Sequence, residues 1–388
     1  MFSERTNWKL AQNRFTRALE EARAKGARVL DLTVSNPTRA GLRYEASEIL
    51  ASLGSERALD YDPQATGLLH ARRAVAAYYD EEHGQSVDAE RIILTTSTSE
   101  GYSFVFRLLC NAGDELLVPK PSYPLFEFLA DLQDVKLVPY PLIYDHGWQM
   151  DFPSLEKAVT ERTRGVVLVH PNNPTGSFVQ ESEMTRLNEF CRARGLALIA
   201  DEVFLDYGLD NGSHSSFSGN GDVLTFTLSG LSKISALPQM KVAWIVASGP
   251  EEVVGEAMAR LEVIADTYLS MNAPIQWATP VLFEQRENIQ QQLLARVKRN
   301  LGELDRQLAG QKACQRLNVE GGWYAVLRVP VTRSDEELAV ELLERKSVLV
   351  HPGHFYDFPR DGYLVLSLIT PEEKFAEGCS GVLEFLQS

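Results

Sequence analysis

The sequence predicts an α/β fold: a mainly parallel central sheet sandwiched by helices, with a smaller α+β domain beside it. Three observations predict it. Short apolar runs alternate with amphipathic ones through the middle of the chain, as in βαβ units whose strands are buried on both faces. After Gly249 the texture changes to a long helical pattern reaching about Leu308. A shorter tail then mixes strands and helices, with no internal repeat or low-complexity segment.

Arg91–Thr96 reads as a strand, and a helix beginning near Ser97 runs on through Phe104, Phe106 and Leu109. Glu115–Val118 and Val135–Val138 are short strands flanking a helical pattern from Leu125 to Leu132. Gly165–Val169 and Leu196–Ala200 flank a helix from about Glu181 to Arg194. Val223–Thr227 and Val242–Val246 complete the sheet. In the tail, Gly321–Val329 reads as a strand, and Ser334-Asp-Glu-Glu337 is a capping box that opens a helix. Tyr363–Ile369 reads as another strand. Thr370-Pro-Glu-Glu373 then combines an N-cap threonine, a first-turn proline and a capping glutamate. The expected organisation is a large domain over residues 45–275. A small domain is built from residues 1–44 together with 276–388.

The bulk numbers narrow the function classes. With 388 residues, 44% hydrophobic and 23% charged, the chain has the composition of a globular protein with a sizeable core. A net charge of −15 argues against a nucleic-acid partner, since a phosphate backbone is bound by basic surface. Local fields still permit a small anionic ligand. Cys110, Cys191, Cys314 and Cys379 are widely spaced, so neither a disulfide framework nor a zinc site is expected. The first residues lack the apolar core of a signal peptide, and no apolar run is long enough to span a bilayer. A cytoplasmic protein is the expectation, with no metal and no membrane partner.

Chemistry-bearing residues collect at the predicted carboxyl ends of strands, where ligands bind in open parallel sheets. Thr95-Thr-Ser-Thr-Ser-Glu100 is a hydroxyl-rich strand-to-helix junction, suited to phosphate through backbone N–H groups and through Ser97, Thr98 and Ser99. The same pattern is that of a plain N-cap. Tyr123, in Pro121-Ser-Tyr-Pro124, is placed to stack on a planar heteroaromatic ring or simply to sit half-buried in a turn. Asn173, in Pro171-Asn-Asn-Pro-Thr-Gly176, can hydrogen-bond a phenolic oxygen on such a ring. Asp201 closes the apolar run 196–200 with nothing polar before it, and a buried carboxylate wants a cationic partner. Glu202 reads as a structural contact. Lys233, in Ser229-Gly-Leu-Ser-Lys233, follows a Ser/Gly loop; Lys241 lies eight residues on and is expected to lower the Lys233 pKa together with desolvation. An acid, a lysine and an Asn-Pro-Thr-Gly turn at successive strand ends are what pyridoxal 5′-phosphate requires. The lysine forms a Schiff base with the aldehyde, and the acid keeps the ring nitrogen protonated so that the ring acts as an electron sink.

Together these residues resemble the class I/II aminotransferases of pyridoxal phosphate fold type I, the aspartate aminotransferase-like family, over most of the chain. The resemblance implies an enzyme that moves an amino group between an amino acid and a 2-oxo acid, with Lys233 and Asp201 catalytic. It implies that Ser97, Thr98, Ser99, Tyr123, Asn173, Ser232 and Lys241 hold the cofactor. Tyr61, in Tyr61-Asp-Pro-Gln-Ala-Thr-Gly67, matches a tyrosine that reaches the partner subunit's cofactor, and Ser270 and Asn272 lie where a cross-subunit contact is made. A symmetric homodimer follows.

Four positions depart from the family pattern. Lys241 stands where an arginine usually grips phosphate, and Gly230 where a serine helps, with Ser229 or Ser232 able to compensate. Phe204 replaces a tyrosine that donates to the cofactor's phenolic oxygen, a loss that should raise the Schiff-base pKa. Val365 stands where an arginine forks onto the substrate carboxylate: either another cation binds it, with Arg39 the candidate and Asn173 also facing substrate, or the substrate is not a typical α-amino acid. Because substrate contacts decide which bond breaks, a lyase acting at Cβ or Cγ and a decarboxylase are the alternatives on the same fold. A non-catalytic cofactor-binding regulator is disfavoured, since no basic helix-turn-helix segment is visible.

Overall fold

A computed structural model of the chain describes residues 1–8, 10–209, 212 and 214–387. Fourteen strands are defined among them. The first seven are β1 (Leu30–Asp31), β2 (Ile92–Thr95), β3 (Glu115–Lys120), β4 (Lys136–Tyr144), β5 (Trp148–Met150), β6 (Thr163–Val169) and β7 (Ala197–Asp201). Then come β8 (Thr225–Gly230), β9 (Ala243–Ser248), β10 (Gln315–Arg316) and β11 (Tyr324–Arg328). The last are β12 (Val348–Leu349), β13 (His351–Pro352) and β14 (Tyr363–Ser367).

The helices begin with α1 (Arg14–Ala24), α2 (Ala46–Ser52), α3 (Leu69–His83), α4 (Thr98–Leu109), α5 (Phe126–Asp131), α6 (Phe152–Ala158) and α7 (Glu181–Arg194). They continue with the one-turn α8 (Leu231–Ile234), then α9 (Glu251–Asp266) and α10 (Ala273–Glu284). α11 (Arg286–Leu308), α12 (Asp335–Lys346) and α13 (Glu372–Gln387) end the chain.

Eight strands form one sheet in the order β2-β9-β8-β7-β6-β3-β4-β5. The inner run β8-β7-β6-β3-β4 is parallel, while β9 runs antiparallel to both neighbours and β5 antiparallel to β4. The predicted α/β class is therefore the observed one. The strands read as continuous apolar runs because successive side chains face helices on opposite sides. Ile93, Ile199 and Ile245 pack with α4 and α9 on one face. Ile92, Leu94 and Val246 pack with α3 and α10 on the other, and Val166, Leu168 and Leu198 pack there with α6 and α7.

A second, antiparallel sheet has the order β10-β11-β14-β13, and β1 pairs with β12 in parallel. Phe15, Leu30 and Leu32 from the start of the chain share one core with residues of α11, α12 and α13. Asn300 of α11 is fully buried there, and its amide donates to the carbonyls of Leu368 (2.8 Å) and Thr370 (2.7 Å).

Two expectations change. The long helical pattern from Pro250 to Leu308 is three helices, because Asn272 caps a new start by accepting from the Ile275 N–H at 3.0 Å and Leu269 adopts a positive φ of 45°. Thr370 does not cap the last helix: its hydroxyl donates to the Asp31 carbonyl, and Pro371 accepts the first helical bond from the Phe375 N–H. The capping box at Ser334 and Glu337 is present as expected. No described helix is long and apolar enough to cross a membrane.

Replacing Asn300 with alanine should lower stability by about 1–3 kcal/mol, since two buried carbonyls lose their donor. A urea unfolding midpoint unchanged from the parent would contradict this.

Candidate active site

The ends of β7 and β8 place a carboxylate and an amine in the protein interior. Asp201, the last residue of β7, is buried; its carboxylate accepts from the Tyr102 hydroxyl at 3.0 Å and the Val203 N–H at 3.2 Å. Burial pushes its pKa up to about 6, against the pull of these two donors and of Lys233. Lys233 lies on α8, directly after β8. Burial pulls its amine down to about 8, and Asp201 acts in the opposite direction. The expected contribution from Lys241 is absent: Lys241 is exposed, at a left-handed φ of 55°, and the depression comes from desolvation. The Lys233 Nζ lies 5.0 Å from the Trp323 ring centroid and 5.5 Å from that of Phe204.

The backbone that carries Lys233 is tied down from four directions. Tyr207 donates to the Lys233 carbonyl (2.6 Å), Gln290 of α11 to that of Ile234 (3.1 Å), and Tyr44 to that of Ala236 (2.9 Å). The Ser235 hydroxyl donates to Leu282 in α10 (2.8 Å). A lysine on one helical turn would otherwise have little to fix its direction.

The remaining predicted residues surround this pair to different degrees. Ser97 is the N-cap of α4, accepting from the Glu100 N–H at 3.2 Å, so its hydroxyl serves the helix. Thr98 and Ser99 open the helix behind it, part-buried. The Glu100 carboxylate reaches back to the Thr96 N–H at 2.7 Å and also accepts from the Ser270 hydroxyl at 2.9 Å, within one chain. Tyr123 follows β3, 39% exposed, near enough to Asp201 that the carboxylate's charge raises its pKa after burial.

Asn173 is buried, and its amide oxygen has no hydrogen-bond partner among the described residues. Its turn is locked against the second sheet: Gly321 N–H donates to Gly176 O at 2.8 Å. Gly176 has φ +70°, and a Cβ there would lie 2.4 Å from the Gly321 carbonyl oxygen, so only glycine fits. Gly230 is constrained by space as well: an added Cβ would come within 2.9 Å of Ala243 Cβ and Val242 O. Ser229 is buried with its hydroxyl toward the Glu202 carbonyl, which leaves part-buried Ser232 as the freer hydroxyl.

Glu202 is the structural contact expected, accepting from the Ser216 hydroxyl and the Phe217 N–H, both at 2.6 Å, with its pKa raised to about 7 by burial. Tyr61 is 85% exposed, beside a cavity of about 570 Å³ that Ser270 and Asn272 also line. Val365 is fully buried in β14, and Arg39 is exposed on a single turn (Pro37–Arg39).

A family profile described as "Aminotransferase class I and II" matches residues 27–380. The chain belongs to the class I and II aminotransferases. It is a pyridoxal-phosphate-dependent transaminase of fold type I acting on amino acids and 2-oxo acids, and this family membership favours amino transfer over the lyase and decarboxylase alternatives. Among its relatives is an alanine aminotransferase of Mycobacterium tuberculosis, 29% identical over 94% of this chain and 87% of the relative. Glutamate-pyruvate aminotransferase AlaA of Escherichia coli is 26% identical over 92% of each chain. An alanine aminotransferase structure from Pyrococcus furiosus superposes with a TM-score of 0.91 at 22% identity, covering 100% of both chains.

In this aminotransferase the residues fit the cofactor: a part-buried amine with lowered pKa, a buried acid with raised pKa, an amide oxygen without a partner among the described residues and a helix N-terminus. Sequence reasoning missed Tyr102, Tyr207 and Trp323. Tyr102 was findable, since it lies one turn after Thr98 and so shares its helix face. Tyr207 and Trp323 lie remote in sequence from Lys233 and carried no local signal.

Asp201 also predicts a pH effect on the cofactor-free protein. Its folded pKa lies above the ordinary 3.8, so its stabilising contribution is complete below that value and lost as pH rises through about 6. Cofactor-free Asp201→Asn should therefore gain on the parent by about 2–3 kcal/mol between pH 4 and 7. Parallel stability curves in denaturant would contradict this.

Proposed function

We propose that this enzyme exchanges the amino group between a small amino acid, alanine or glutamate, and a 2-oxo acid of the pyruvate class, as a cytoplasmic homodimer. Buried Asp201 and the desolvated amine of part-buried Lys233, at neighbouring strand ends, carry the reading, and the printed activities of the relatives support the substrate pair. When bound, pyridoxal phosphate supplies the aldehyde and the electron sink. Lys233 anchors the cofactor and, once its amine is free, moves a proton on and off the substrate Cα, a task suited to a pKa of about 8. Asp201 would hold the proton on the ring nitrogen, with Tyr102 fixing the carboxylate's direction. Asn173 and Tyr123 orient the ring. Ser97, Thr98, Ser99, Ser232 and Lys241 would hold the phosphate, Ser97 through the helix it caps.

Arg39 approaches the substrate carboxylate from the N-terminal segment. That segment is fastened to β14, where Ser367 donates to the carbonyls of Leu32 and Val34. Tyr61 and Leu269, both exposed and lining one cavity, suit a second copy, with Tyr61 completing the partner's phosphate site. The chain divides into a large domain, residues 45–275, and a small one, residues 1–44 with 276–388. The separate eight-stranded and four-stranded sheets support this, although α10 packs on the larger sheet and Trp148, Phe204, Tyr207 and Ala236 share the core of the smaller one.

A half-reaction tests the activity. Alanine or glutamate should convert the bound cofactor to its amine form with one equivalent of oxo acid, followed by absorbance, and Lys233→Ala should lose the covalent absorption. Release of ammonia with the starting spectrum restored would instead indicate elimination. Tyr61→Phe should weaken cofactor binding about tenfold, the scale of one hydrogen bond to a charged group. Equilibrium dialysis measures this, and sedimentation should return twice the chain mass. A monomer with unchanged cofactor affinity would refute the shared site.

A further inference from the structure

Both substrates of a transaminase carry a carboxylate, which needs hydrogen-bond donors wherever it is held out of water. The second sheet has one stretch facing the reactive lysine. Directly paired residues of an antiparallel ladder project to the same face, as do residues two apart. His351 of β13 pairs with Val365 of β14, Val365 with Val326 of β11, and Ser367 with Tyr324. These residues therefore share a face. Its direction is given by Tyr324, whose ring lies 6.4 Å from that of Phe204, the same ring over which the Lys233 Nζ sits. Tyr324 also lies 6.4 Å, ring to ring, from Tyr356, and Tyr356 Oη is 3.0 Å from His351 Nδ1. An unbroken series of contacts thus runs from Lys233 through Phe204, Tyr324 and Tyr356 to His351. Val326 and Val365 are fully buried and apolar, so His351 is the nitrogen base on this stretch.

We infer that His351, oriented by Tyr356, is the inner donor that binds the substrate carboxylate. Burial holds the imidazole at a pKa of about 4, with Asp31 opposing, so the ring is neutral near pH 7 and carries a single N–H. A Tyr356 hydroxyl donating to Nδ1 puts that N–H on Nε2, which makes no hydrogen bond to another described residue. His351 is part-buried, not sealed. An N–H donated to an ionised oxygen in such a setting is a strong contact. Arg39 would approach the same group from the exposed side.

The inference rests on the transaminase reading only in that both substrates are carboxylates. It is tested on the holoenzyme by half-reaction kinetics, and by the affinity for propanoate, a carboxylate with no amino or oxo group, read from tryptophan fluorescence. His351→Ala should raise KM for the amino acid and the oxo acid, and the Kd for propanoate, by about ten- to a hundredfold, the scale of a hydrogen bond to a charged group. Its kcat should stay within about threefold, because the lost contact holds ground state and transition state alike. His351→Gln should recover part of the affinity through its amide N–H. Tyr356→Phe should give a smaller rise, since the tautomer is no longer fixed. These two variants carry the test if the alanine variant does not fold.

Unchanged KM and Kd in a His351 variant with normal cofactor absorption would overturn the inference, as would Arg39→Ala accounting for the whole effect. If the parent enzyme gave no half-reaction with any amino acid, the proposed function would fail, while the propanoate measurement would still report on His351.

Discussion

Two ionisable groups removed from water set the terms for the rest of the molecule. Desolvation drives Asp201 upward and Lys233 downward, so each is biased toward its neutral form. Such a pair is costly to bury without partners. The protein accepts the cost where a cationic ring nitrogen and an electrophilic aldehyde would relieve it. The strain is local, but the means of containing it are not. The turn carrying Lys233 is held by residues 44, 207, 282 and 290, which lie before and after it in the chain. Both cores therefore contribute to the direction of one amine.

Aromatic surface stands beside the lysine amine in place of polar contacts. Phe204 and Trp323 stand 5.1 Å apart, ring to ring, and both lie against the lysine amine. A quadrupolar face stabilises an ammonium without offering it a proton acceptor. The amine can then carry a proton during transfer and release it readily. The same rings exclude water, which would otherwise compete for every short contact at the site.

Much of this was legible in the sequence, for physical reasons that can be named. Strands buried on both faces must be apolar throughout, so β2, β6, β7 and β9 stood out, and polar residues directly after them were conspicuous. Asp201 is the clearest case. β12 and β13 have two residues each, too few for any periodicity, so the position of His351 beside Val365 could only come from the ladder itself. α1 and α3 were not read, although Phe15, Ala18, Leu19 and Ala22 recur at helical spacing and Ala71, Val75, Tyr78 and Tyr79 do likewise. The break between α9 and α10 was hidden because Asn272 and Pro274, a start signal, sit inside otherwise continuous helical composition. Ser97 shows the limit of motif reading. Its hydroxyl caps a helix, and only the geometry separates that role from direct ligand contact.

The pairing of β1 with β12 joins Leu30 to Val348 and Asp31 to Leu349. In translation β1 therefore has to wait for β12, far later in the chain. During synthesis the larger sheet can close on itself, since its strands lie between residues 92 and 248. Leu30, Leu32 and Phe15 have no core to enter until the final helices emerge. Pairings so distant in sequence form slowly and leave apolar surface open to other chains meanwhile. The yield of active enzyme should thus depend on how the nascent amino terminus is shielded, a quantity set by the cell's chaperones as much as by the stability of the finished fold.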